Sequence, residues 1–128
     1  MLRPLTAAAV LVLLFVGPSS GCSLLDEECG LLEGQPSVYV RVTDAASGRP
    51  VLDGVEVTAR DGDFSEVLVV DGGQYVGVFG RPGTYVVTAA GGGYRAGSES
   101  VVVGTRECGG RAYADEVLVE IALSPATP

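Results

Sequence analysis

From residue 37 onward the chain alternates between apolar and polar positions. Val38, Val40 and Val42 fall on one parity, and Tyr39, Arg41 and Thr43 on the other. A period of two marks a strand with one buried face and one solvated face. Six further runs read the same way, at 51–59, 64–70, 74–79, 84–90, 98–103 and 116–123. Their inward residues are Val55, Val57 and Ala59, then Tyr75, Gly77 and Phe79, then Tyr85, Val87 and Ala89, and finally Val117, Val119, Ile121 and Leu123. Turn chemistry separates the runs: Asp44, Ser47, Gly48 and Pro50, then Asp61-Gly62, Asp71-Gly72-Gly73 and Gly80 to Gly83. Asp, Ser, Gly and Pro each favour turns for a separate steric or hydrogen-bonding reason. The stretch 104–115 reads as the longest loop, and 124–128 as a frayed tail. No window has a helical period. The pattern predicts an all-β domain, a sandwich of seven short strands over 37–123.

Ahead of the strands the hydrophobic pattern is of another kind. Residues 5–17 form an apolar stretch of 13 residues broken only by Thr6, preceded by Arg3 and followed by Ser19-Ser20-Gly21. A charged start, a short apolar middle and a small-residue end describe an export signal. The stretch falls short of the roughly 20 apolar residues that span a bilayer. Cys22 directly after the small residues resembles the lipobox of bacterial lipoproteins, with Ser19 where that motif usually has an aliphatic residue. The resemblance implies cleavage after residue 21, palmitate-type lipid on Cys22, and a mature chain held to a membrane of the bacterial cell envelope. Residues 22–36 then form a short acidic tether carrying Asp26, Glu27, Glu28 and Glu33. The mature chain, 22–128, is long enough for one domain and too short for two.

Charge narrows the partners. The chain has 16 acidic and 8 basic residues, for a net charge of −8. Arg3 leaves with the signal, which makes the mature chain −9. Such a chain offers little to nucleic acid, whose phosphates need Lys and Arg. Histidine is absent. That removes the Ser-His-Asp triad, the Cys-His pair and His-ligated zinc. The expectation is a protein without catalysis and without a cofactor.

Cys22, Cys29 and Cys108 make an odd count. An odd cysteine in an exported chain asks for a role outside a disulfide. Lipid on Cys22 supplies one. Cys29 and Cys108 are then expected to pair, because the compartment is oxidising.

The strand region carries a second resemblance. The run from Val40 to Val51, Val-Arg-Val-Thr-Asp-Ala-Ala-Ser-Gly-Arg-Pro-Val, resembles the opening of carboxypeptidase regulatory-like domains. Gly54-Val55-Glu56-Val57, Asp71-Gly72-Gly73-Gln74-Tyr75 and the segment from Gly83 to Tyr94 are similar to that family's later steps. The resemblance implies a seven-stranded Ig/transthyretin-like β-sandwich. It transfers no catalytic residue, because the peptidase activity of such proteins belongs to a separate domain. It implies structural roles instead: tight turns or positive φ at Gly48, Gly83 and Gly93, a fixed entry to the second strand at Pro50, and core area from Tyr75, Tyr85 and Tyr94, with each hydroxyl needing a partner.

Two groups remain as candidate sites. Asp61, Asp63, Glu66 and Asp71 bring together oxygen ligands of the kind calcium takes, but their spacing is not that of an EF-hand loop. Turn chemistry accounts for Asp61-Gly62 and Asp71-Gly72. The corner from Gly91 to Tyr94 and the stretch from Gly104 to Gly110 could form a ligand-binding rim on a rigid sandwich. The functional expectation is an exported, lipid-anchored binding or structural module whose partner is an envelope protein or glycan. The alternatives are a carbohydrate- or peptide-binding module and a carboxylate-based hydrolase.

Overall fold

The computed structural model describes residues 34–126. They are all-β: β1 (Pro36–Asp44), β2 (Val55–Asp61), β3 (Phe64–Val67), β4 (Val69–Asp71), β5 (Gln74–Phe79), β6 (Gly83–Gly91), β7 (Tyr94–Val103), β8 (Thr105–Cys108), β9 (Arg111–Ala114) and β10 (Val117–Leu123). Two four-stranded sheets form, ordered β10-β1-β5-β4 and β3-β2-β6-β7, with β8 and β9 as a separate hairpin. The first and last strands pair in parallel, from Val38 opposite Val117 to Asp44 opposite Leu123. This register places the apolar residues of both runs on one face. Val38, Val40 and Val42 join Val119, Ile121 and Leu123 from the first sheet, and Val57, Ala59, Tyr85, Val87 and Ala89 from the second, in one core.

Ten strands replace the expected seven because two readings were too coarse. The run 64–70 is two strands in two sheets: β3 pairs with β2, and β4 pairs with β5. The change of partner occurs at Leu68, which is buried and donates its N–H to the Val57 carbonyl at 2.8 Å. The chain therefore crosses between the sheets here and ties one side of the molecule together. The stretch 104–115 holds a hairpin, with Cys108 opposite Arg111 across Gly109-Gly110. Both glycines have positive φ, 61° and 82°, as a two-residue hairpin loop of the primed type requires.

Smaller corrections have local causes. The second strand begins at Val55, not at 51. Pro50 forms an isolated bridge with Thr43, and the Val51 N–H returns to the Val42 carbonyl at 2.9 Å, so this segment hugs β1 before joining the other sheet. In β5 the alternation breaks. Val78 has φ 60° and is fully buried, while Phe79, expected inside, is 56% exposed. A β-branched residue at positive φ is strained. Its N–H is satisfied by the Glu66 carboxylate at 3.2 Å. The expected frayed tail is paired as far as it is described: Pro125 bridges Tyr94, Ser124 O accepts from Arg95 N–H, and Ala126 N–H donates to Gly93 O. Of the three glycines expected to permit tight turns or positive φ, Gly48 and Gly93 have positive φ, at 76° and 80°. Gly83 does not. A Cβ there would collide with the Asp61 carboxylate, so close approach is what Gly83 provides.

Tyr75 and Tyr85 are buried in the core and Tyr94, partly buried, packs against it, all three with their hydroxyls paired. Tyr75 donates to Val51 O at 2.9 Å, Tyr85 to Arg81 O at 2.6 Å, and Tyr94 to Asp44 Oδ2 at 2.7 Å. Arg81 closes a knot around Tyr85. It donates to the Tyr85 hydroxyl and to Asp61, and lies 4.1 Å from the Phe64 ring centroid. Tyr75→Phe and Tyr85→Phe should each lower unfolding stability by about 1–2 kcal/mol, because the buried Val51 carbonyl and the partly buried Arg81 carbonyl each lose a donor. Urea melts showing no change in either variant would mean that water replaces the hydroxyl.

Candidate functional site

Strand directions assign every loop to one of two ends. β1, β6 and β10 start, and β2, β5 and β7 finish, at the end that carries the β8–β9 hairpin. The turns at 45–49, 72–73 and 92–93 lie at the other end. The expected rim is therefore divided. The corner from Gly91 to Tyr94 precedes β7 and the stretch from Gly104 to Gly110 follows it, with ten residues of strand between them. At about 3.3 Å per residue that is roughly 30 Å.

The acidic group is also dispersed by use. Asp61 accepts from Arg81 at 3.0 Å, and Glu66 accepts from the Val78 N–H. Asp71 closes the β4–β5 turn opposite Gln74. Among the described residues, no three acids, cysteines or histidines gather as a metal site.

Cys22 and Cys29 lie outside the described residues. Cys108, half-buried at the end of β8, is disulfide-bonded. The only other cysteines of the chain are those two.

A concavity that the sequence reading missed lies at the hairpin end. Its volume is about 260 Å³, and its walls include Pro36 and Ser37 from β1, Gly80, Arg111 and Tyr113 from β9, and Glu116. Arg111 sits 5.4 Å from the Tyr113 ring centroid, a cation–π distance. The alternation of Arg111 and Tyr113 with two alanines, beyond a Gly-Gly pair, was the available signal. The hairpin builds this concavity against the point where the chain enters the domain. Its polar groups, a guanidinium, a phenol, a carboxylate and a buried serine, suit hydrogen bonding to a small polar ligand.

Titration behaviour follows from the tyrosine contacts. Asp44 accepts from the Tyr94 hydroxyl and from the N–H groups of Ser47 and Ala46, which lower its pKa. The Asp44 bond raises the pKa of Tyr94. Burial raises Tyr39, with Glu116 and Asp71 adding to the effect, and burial raises Tyr75, with Asp53 adding. A lowered carboxylate adds stability that is present above the unfolded value near 4 and lost as pH falls through the folded value. Raised phenols add stability that is present below about pH 10 and lost as pH rises through their folded values. The chain has no histidine and no lysine to titrate in between. Melting temperature should therefore be flat from about pH 5.5 to 9 and fall beyond both limits. Asp44→Asn should shrink the acid limb. A midpoint that drifts steadily through neutrality would contradict this assignment.

No family model matches the chain, and no curated protein matches it.

Proposed function

We infer that the mature chain is a non-catalytic binding or structural module of a bacterial cell envelope, exported and anchored by lipid on Cys22. The observation that carries this reading is the gathering of the attachment features at one end. The chain enters at Pro36, and Cys108 is paired in β8–β9 with Arg111, which shares the walls of the concavity with Pro36. Seven residue-to-residue steps lead from Cys29 to Pro36. At about 3.5 Å each they reach at most about 25 Å, enough for a Cys29–Cys108 bridge at that end. Six residues, 23–28, then remain between the lipid-bearing cysteine and the bridge. The domain is held close to the membrane through its hairpin end.

The two-sheet core, with Tyr75, Tyr85 and Tyr94 as hydroxyl-paired anchors, supports the carboxypeptidase regulatory-like, Ig/transthyretin-like reading of the fold. The absence of histidine from the sequence supports a role without catalysis. Of the acids with which a carboxylate hydrolase would work, Asp61 is engaged in an ion pair, Glu66 in a strand contact and Asp71 in a turn. A partner is accordingly an envelope protein or glycan, not nucleic acid. The test combines two assays on purified protein. Panels of peptides and glycans should show no turnover, and Cys29 and Cys108 should alkylate only after reduction. Turnover abolished by Asp61→Asn or Glu66→Gln would replace this reading with the hydrolase.

A further inference from the structure

We propose that the outer face of the β3-β2-β6-β7 sheet is a self-association surface that pairs two copies of this chain about a two-fold axis. Register places on this face Ser65 and Val67 from β3, Glu56, Thr58 and Arg60 from β2, and Thr84, Val86, Thr88 and Ala90 from β6. Ser98, Ser100 and Val102 continue it on β7. Val67, Val86 and Val102 are 53%, 46% and 63% exposed. On a chain of net charge −8 the two central strands of this face, β2 and β6, carry one acid and one base, Glu56 and Arg60. Both are exposed, and neither has an ion-pair partner among the described residues.

Their placement commits the face to its own copy. Glu56 and Arg60 lie two residues to either side of Thr58 on one strand. A two-fold axis through Thr58, in the plane of the face and perpendicular to β2, reverses the strand. It sets Arg60 of each copy over Glu56 of the other, twice. The row Val67–Thr58–Thr88–Ser98 lies along the axis and meets itself, and Val86 meets Ala90. No like charges oppose. Elsewhere the excess of acids repels a second copy, so this face is where approach costs least. Four strands at about 4.8 Å and six residues at about 3.3 Å give roughly 400 Å² per partner. A standard interface buries about 800 Å² per partner. Association in dilute solution is therefore weak, and confinement to one leaflet raises the effective concentration. With the axis along the membrane normal, both copies lie with strands parallel to the surface and both tethers reach the same leaflet.

Sedimentation equilibrium of the purified protein, from about 10 µM to 1 mM, tests this directly. Wild type should show a monomer–dimer equilibrium. Arg60→Glu and Glu56→Arg should each weaken it at least about tenfold, since each puts like charges across the axis twice. An equimolar mixture of the two variants should recover dimers, because their charges complement. Thr58→Arg, which sets two cations together on the axis, provides a second disrupting variant, and thermal melts confirm that each variant is folded. A wild type that stays monomeric, reversals without effect, or a mixture that does not associate would each overturn the proposal.

Discussion

Leu68→Ala should destabilise the domain by about 3 kcal/mol, the middle of the range for a buried leucine that leaves a cavity. Leu68 is 4% exposed and sits where the chain leaves one sheet for the other. Gly77 faces it closely: a Cβ on Gly77 would collide with Leu68 Cδ2 and approach Glu66 Oε2 to 2.7 Å. Gly77→Ala should therefore cost about 1–3 kcal/mol by overpacking. The double variant is the informative one, because the new methyl occupies space that the shortened side chain vacates. Its cost should fall at least about 1 kcal/mol below the sum of the single costs, as expected for residues in contact. Strict additivity in urea melts would mean that the two side chains do not share that space and that the crossing at Leu68 is held otherwise.

Loss of the proposed Cys29–Cys108 bridge should cost more. The closed loop runs from residue 29 to 108. For a loop of that length the chain-entropy relation gives about 4.5 kcal/mol as an upper value. Against a typical domain stability of about 5–15 kcal/mol that is a large fraction. Cys29→Ser, Cys108→Ser and reduction of the wild type should lower the urea midpoint by similar amounts, and reduction should not affect either variant further. If Cys108 were bonded to Cys22 instead, Cys29→Ser would leave the midpoint unchanged while Cys22→Ser lowered it. That outcome would also remove the lipid from Cys22.

The period-two pattern carried most of the core. Val38, Val40 and Val42, Tyr85, Val87 and Ala89, and Val119, Ile121 and Leu123 are all buried, as alternation required. Alternation reports which face a residue takes and not which strand it pairs with. The run 64–70 therefore read as one strand, although its two halves pair with β2 and β5. The parallel pairing of β1 with β10 is likewise a tertiary choice. The flip at Val78 and Phe79 depends on Glu66, twelve residues earlier, reaching across to the Val78 N–H. No local propensity encodes that contact. The β8–β9 hairpin was different. Its Gly109-Gly110 pair is a hairpin signal in the sequence, hidden by polar and small flanks, Thr-Arg-Glu-Cys and Arg-Ala-Tyr-Ala. Missing it meant missing the concavity beside the entry point. The calcium-like spacing of acids dissolved for a related reason: Asp61 and Glu66 are committed to Arg81 and to backbone that lies distant in sequence.

Attachment through Cys22 is the claim on which the envelope role and the short tether both depend. Cells expressing the full chain can be fed a labelled fatty acid and fractionated, in parallel with cells expressing Cys22→Ala. The account predicts label on the wild-type protein in the membrane fraction, no label on Cys22→Ala, and release of that variant from the membrane. Label on both forms, or wild-type protein that is unlabelled and free of the membrane, would contradict it.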